Sequence, residues 1–106
     1  MDILFCYQYR DGANYKQYNE IVFSNPLKRD LKEIESIIKE KLIDGLWFVA
    51  DDWSVPNQFF KEYGWDNEID HTWHEFQEIK ETEEKVTKKN TIEDFIKAVE
   101  KTKLPW

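Results

Sequence analysis

The chain has 106 residues, which fits one domain, residues 1–106, with a single modest core. Its 41% apolar and 16% aromatic residues are typical of a globular protein and exclude a disordered chain. A formal net charge of −7 excludes general binding to a nucleic-acid backbone, because such binding needs a basic face.

The acidity is concentrated in the middle of the chain. Residues 51–84 contain eleven acids and two lysines, a balance of −9, whereas residues 1–50 carry −1 and residues 85–106 carry +3. Acids in such a run most often form a solvated face. The charge pattern therefore predicts an acidic surface contributed by one part of the chain.

The only cysteine, Cys6, lies in an apolar run and is expected to be a small core residue. A lone cysteine cannot form an intramolecular disulfide, which favours a reducing compartment. No stretch approaches the roughly 18 consecutive apolar residues of a membrane span. Asp2 also stands where a secretory signal carries positive charge. We therefore expect a cytoplasmic protein with no membrane association.

Two strands joined by a tight turn are expected at the N-terminus. The side chains of residues 3–9 are expected to alternate between the two faces of a strand, with rings and Ile3 on one face. Apolar residues on both faces at the start of this run indicate an inner strand. Asp11-Gly12 and Asn14 are turn residues, because they tolerate the positive φ of a tight reversal. Residues 15–23 then return as the antiparallel partner.

A helix and a third strand are expected next. Asp30 is placed as an N-cap, with Glu33 three residues later as in a capping box. Apolar residues recur at helical spacing from Leu31 to Leu42, and Gly45 predicts the end of the helix. The apolar run 46–50 predicts a short strand.

The second half of the chain has weaker patterns. Residues 51–70, here called the acidic segment, are irregular and rich in rings, and we expect them to pack and to form the main binding surface. Residues 73–80 are interpreted as a strand, although the recurrence of Trp73, Phe76 and Ile79 every three residues favours a bulge or a helix over a flat strand. After a polar loop, Thr91 with Asp94 predicts a capped helix.

This order of elements, β-β-α-β-(irregular)-β-α, predicts an α+β domain. It corresponds to an antiparallel sheet of about four strands with two helices covering one face. The sequence leaves the order of the strands in the sheet open.

Several motifs resemble those of a small bacterial family with no known activity. They are the Tyr-Arg-Asp-x-x-Asn-Tyr-Lys pattern at 9–16, the turn at 44–48, Val55-Pro56, and the run at 70–76 that contains Trp-His-Glu-Phe. The resemblance spans residues 9–84 and implies a shared fold, but no catalytic residue. The chain departs from the family pattern at 51–53, where the family has a less acidic turn with a glycine.

A metal site is the first candidate for chemistry, because residues 70–76 hold both histidines of the chain. Asp70, His71, His74 and Glu75 are residue types that bind zinc or iron. On a strand, however, His71 and His74 are an odd number of positions apart and point to opposite faces unless a bulge intervenes. The helical two-histidine motif has a different spacing. We therefore favour a packing role for His74 and assign no metal, no cofactor and no catalytic residue.

The N-terminal hairpin is the second candidate. The guanidinium of Arg10, the ammonium of Lys16 and the rings of Tyr9 and Tyr15 can together hold an anionic or nucleotide-like ligand. The alternative is a plain tight turn in which Arg10 pairs with the middle, acidic part of the chain, and we favour it because a turn needs the same residue types. The candidate residues are Arg10, Asp11, Asn14, Tyr15 and Lys16.

The acidic segment is the third candidate, with Asp51, Asp52, Trp53, Trp65 and Asp66 as contact residues. Aromatic anchors within a charged rim are typical of protein interfaces. Our first hypothesis is therefore a non-enzymatic module that binds a basic protein, or a second copy of itself, through this segment. A small-ligand binder at the hairpin is the second hypothesis, and a metal-dependent enzyme at His71 and His74 is the third.

Overall fold

The computed structural model describes residues 1–10, 16–50, 52–55, 73–87 and 90–103. These residues form a four-stranded antiparallel sheet and two helices, which confirms the predicted α+β class and order of elements. The elements are β1 (Asp2–Arg10), β2 (Lys16–Phe23), α1 (Leu31–Glu40), β3 (Trp47–Val49), β4 (Trp73–Thr82) and α2 (Ile92–Lys101).

The strands lie in the order β2-β1-β4-β3, so β1 is an inner strand, as its apolar residues on both faces predict. On its odd-numbered face Ile3, Phe5, Tyr7 and Tyr9 are all buried. Cys6 lies on the other face and is only partly buried. The expectation that Cys6 is a core residue is therefore not met, because the alternation of the strand directs it away from the helices.

Both helices pack on the odd-numbered face of β1. One buried cluster joins Ile34 and Ile38 of α1 and Phe95 of α2 to the rings of this face. Phe5 is central to it, with its ring centroid 4.9 Å from that of Phe95 and 5.2 Å from that of Tyr7. Because each such ring buries roughly 150–250 Å², this cluster is the main source of apolar stabilisation.

A β-bulge at Gln77 explains the unusual spacing in β4. Ile79 pairs with Phe5, but after the register shift Phe76 pairs with Tyr7, so that Gln77 has no opposite residue on β1. The extra residue places Phe76 and Ile79 on the same face although they are three apart. Trp73 lies beyond the bulge on the opposite face. It therefore does not join Phe76 and Ile79 in one row.

The first helix begins as predicted but ends earlier. Asp30 is its N-cap residue, yet the Asp30 side chain makes no capping hydrogen bond, and Glu33 instead pairs with Arg29. The helix ends at Glu40, and Gly45, with a φ of 73°, belongs to the turn that leads into β3. Gly45 is thus a turn residue and not the helix stop.

The second helix has the predicted capping box. The Thr91 side chain accepts a hydrogen bond from the Asp94 backbone N–H, and the Asp94 carboxylate accepts one from the Thr91 backbone N–H. Four apolar side chains of this helix, Ile92, Phe95, Ile96 and Val99, are buried. Within the described part of the chain, neither helix is long and apolar enough to cross a membrane.

Candidate functional site

The acidic segment leaves the sheet and returns to it at one place. It follows β3, which ends at Val49, and precedes β4, which begins at Trp73, and these two residues are Cα partners in the β3–β4 ladder. The chain on both sides of the segment is therefore held at the same edge of the sheet. The described residues at this edge form the base of the segment.

On the face of the sheet that carries α1 and α2, Trp53 packs this base against the core. Its side chain is fully buried, and its indole stacks on the ring of Phe48 with the centroids 4.3 Å apart. Backbone hydrogen bonds from Trp53 and Val55 to the carbonyl of Ala50 form the turn that brings the indole inward. Trp53, expected among the contact residues, therefore has a packing role, while its neighbour Asp52 is exposed.

On the other face of the sheet, the base carries a pair of tryptophans. Trp47 and Trp73 are both partly exposed, and their ring centroids lie 5.7 Å apart. The alternation of β3 and β4 places both side chains on the face away from the helices, because Trp47 and Trp73 flank the inward pair Phe48 and His74. Trp47 carries no signal of this role in the sequence, since its position opposite β4 depends on strand order.

A polar cluster lies beside this pair on the same face. Glu75 is buried, and its carboxylate accepts a hydrogen bond of 3.0 Å from the Gln8 side-chain amide. The guanidinium of Arg10 lies 2.9 Å from the same carboxylate, and Arg10 is only partly exposed. Arg10 thus pairs with an acid of the middle part of the chain. In this structure its guanidinium therefore links β1 to β4.

His74 lies in the core. Its side chain is fully buried, and its ring centroid lies 5.2 Å from that of Tyr9 and 6.0 Å from that of Phe48. His74 and its neighbour Glu75 project to opposite faces of β4, so these two residues of the strand do not converge on one ion. Among the described residues, no group of three or more histidine, cysteine, aspartate or glutamate side chains is arranged to hold a metal.

Several predicted site residues lie outside the described part of the chain, and their assignments remain predictions. Of the hairpin candidates, Arg10 and Lys16 are described, and they are Cα partners at the end of the β1–β2 ladder. Of the acidic-segment candidates, Asp52 and Trp53 are described. Those outside are Asp11, Asn14, Tyr15, Asp51, Trp65, Asp66 and His71.

Two adjoining clefts open between the C-terminal ends of the helices and β3. The smaller, of about 140 Å³, is lined by Phe48, Val49 and Trp73, and the larger, of about 410 Å³, by Lys101. Both reach Asp52, Thr102 and Lys103, and thus border the base of the acidic segment. Clefts assembled from elements that are far apart in the chain have no local sequence signal.

Cys6 lies on the face away from the helices, between acids of both neighbouring strands. Its Cα partners are Glu20 on β2 and Glu78 on β4. Burial, together with the smaller effect of the Glu20 and Glu78 carboxylates, raises the pKa of the Cys6 thiol to about 11, against a lowering by Lys80. The thiol is therefore protonated at neutral pH, which does not suit a nucleophile.

Comparison with models of known protein families, with curated proteins and with solved structures found no match. The family resemblance of residues 9–84 therefore remains a prediction.

Proposed function

We propose that the protein is a non-enzymatic interaction module that acts in the cytoplasm and binds a basic partner protein through the acidic segment, residues 51–70. The observation that carries the proposal is the anchoring of this segment's base. Trp53 is fully buried on one face of the sheet, and Trp73 packs against Trp47 on the other.

Anchoring favours binding for an entropic reason. A segment whose flanks are already held loses less conformational freedom when a partner orders it, so more of the interaction energy contributes to affinity. Here Val49 and Trp73 are paired in the sheet, and the Trp53 turn is held by hydrogen bonds to Ala50. The flanks are therefore pre-ordered before any partner arrives.

The chemistry of the segment and its base defines the partner. Residues 51–70 carry six acids and one lysine, which favours a partner with a positive patch and speeds the encounter at low salt. Trp47 and Trp73 are partly exposed beside the segment, and tryptophans at the centre of an interface commonly contribute much of the binding energy. A basic protein surface with an apolar centre fits both features.

The proposal is tested by comparing two variants of equal net charge. One neutralises four acids of the segment: Asp51→Asn, Asp52→Asn, Asp66→Asn and Glu68→Gln. The control neutralises four exposed acids elsewhere: Glu40→Gln, Asp44→Asn, Glu83→Gln and Glu100→Gln. Both are used, with the unmodified protein, to capture basic proteins from a lysate of the host.

We expect a basic protein that the unmodified chain and the control retain and the segment variant loses. Raising the salt from 0.05 to about 0.5 M should release it, because salt screens exposed charges. Equal capture by the two variants, or capture that salt does not weaken, would contradict the proposal. Thermal unfolding of both variants confirms that each is folded.

A further inference from the structure

The described residues cover only part of the outer edge of β2. Near its C-terminal end, the Val22 N–H donates to Thr87 Oγ1 at 2.9 Å, and the Thr87 N–H donates to the Val22 carbonyl at 3.1 Å. The Ser24 carbonyl accepts from Ile92 at 2.8 Å. The connection from β4 to α2 thus closes this end of the edge.

The same contacts show which backbone groups point outward along the rest of β2. In a regular antiparallel strand, alternate residues direct their N–H and C=O groups to the same side. The β1–β2 register runs without a shift from Phe23 to Lys16. Since Val22 points outward, the backbones of Glu20, Tyr18 and Lys16 do too.

These three residues form an open strand edge. Within the described part of the chain, their outward backbone groups make no hydrogen bond, and their side chains are exposed. The Tyr18 side chain is 65% exposed. An uncovered edge of this kind is a template for pairing with another strand.

We propose that this edge pairs with the same edge of a second copy of the chain, antiparallel about a twofold axis at Tyr18. In that register Lys16 lies opposite the partner subunit's Glu20, and Glu20 lies opposite the partner subunit's Lys16. Tyr18 faces the partner's Tyr18. The backbone groups that point outward then hydrogen-bond across the axis, and the two sheets become one continuous sheet.

Charge complementarity selects a second copy as the occupant and sets the register. Opposite charges on directly opposed residues stabilise an antiparallel pair, and like charges destabilise it. In the order Lys16-Gln17-Tyr18-Asn19-Glu20 the charges are complementary to those of its own reverse, which suits an isologous twofold contact. Thr87 on Val22 prevents the pairing from sliding further along the strand. The charges of Lys16 and Glu20 and the Thr87 contact at Val22 therefore specify the same register.

This surface is separate from the proposed partner-binding site. β2 and β3 are the two opposite edges of the sheet, and the acidic segment joins the sheet at the β3 edge. The inference therefore does not depend on the proposed function, and a dimer formed at β2 leaves the β3 edge unpaired with the second copy.

The test is sedimentation velocity over a concentration series with charge-reversed variants. Lys16→Glu alone and Glu20→Lys alone each place like charges at both ends of the contact, so each should weaken dimerisation about tenfold or more. Mixing the two single variants should restore it, because every acid then faces a lysine across the heterodimer. Lys97→Glu, at an exposed position of α2, is the control that should leave dimerisation unchanged.

Restoration of the dimer on mixing the two single variants distinguishes this edge from other contacts, because it requires Lys16 and Glu20 to face each other. It also shows that each variant is folded. A protein that is monomeric up to about 1 mM would overturn the proposal. So would a dimer that the single reversals do not weaken, or one that mixing fails to restore. Tyr18→Pro, which removes one outward N–H and leaves the β1 ladder intact, should also give a monomer with an unchanged far-ultraviolet spectrum.

Discussion

The indole of Trp53 stacks on the ring of Phe48 with their planes inclined by 15°, and this contact attaches the start of the acidic segment to the core. Trp53 also meets the ring of Phe95 edge-on at 5.8 Å. A single side chain thus links β3, α2 and the segment that we propose binds a partner.

Replacing Trp53 with alanine should remove this link. We expect Trp53→Ala to lower the free energy of unfolding by about 3–5 kcal/mol, because it leaves a large cavity in a packed core. Trp53→Phe is the control: it keeps a stacking ring, and within the described structure the Trp53 indole Nε1 has no hydrogen-bond partner to lose. Urea unfolding of both variants checks this, and equal losses would contradict a stacking role.

Glu75 should be more important for stability than other acids of its strand. Glu75→Ala leaves the buried Gln8 amide without its acceptor and Arg10 without its ion-pair partner, which should cost about 1–3 kcal/mol. Glu78→Ala is the matched control, since Glu78 lies on the same face of β4 but is exposed. Chemical denaturation gives both values, and a Glu75 effect no larger than that of Glu78 would refute the assignment.

The two helix N-termini should respond differently to alanine. Thr91→Ala removes the capping box of α2 and should cost about 1 kcal/mol. Asp30→Ala should cost clearly less, because the Asp30 side chain makes no capping hydrogen bond. Thermal unfolding under identical conditions compares the two, and similar losses would mean that Asp30 caps α1 in solution.

Deleting Gln77 should disrupt the sheet, whereas replacing it should not. Without the bulge, the residues of β4 before it would change faces, exposing His74 and Phe76 and turning Glu75 towards the core. We expect the deletion to abolish cooperative unfolding and Gln77→Ala to preserve it. Calorimetry distinguishes these outcomes, and a cooperative deletion variant would show that the register can be accommodated otherwise.

Alkylation of the only cysteine should depend on pH with an unusually high midpoint. Because burial and the neighbouring acids raise the pKa of Cys6 to about 11, the reactive thiolate is scarce at pH 8 and increases only as the pH approaches that value. Glu78→Gln removes one acid that acts in this direction and should move the midpoint down. Iodoacetamide labelling rates between pH 7 and 11 check this: the rate should still be rising at pH 11, and a wild-type midpoint near the ordinary value of 9.0 would contradict a buried thiol beside acids.

Much of the fold follows from local patterns in the sequence. The alternation in β1, the helical spacing that starts at Leu31 and the Thr91–Asp94 capping box each involve residues close together in the chain, so their energetics are already present in short segments. The same locality explains the prediction that β1 is an inner strand.

The tertiary structure decided which distant residues meet. The strand order places Glu75 against Gln8, which is 67 positions away in the chain, and Trp47 beside Trp73. It also turned the Trp53 side chain inward, against Phe48 and Phe95. These outcomes depend on competition among long-range contacts. The sequence by itself therefore determined the elements and their faces, whereas the candidate site exists only because folding brings separate elements together.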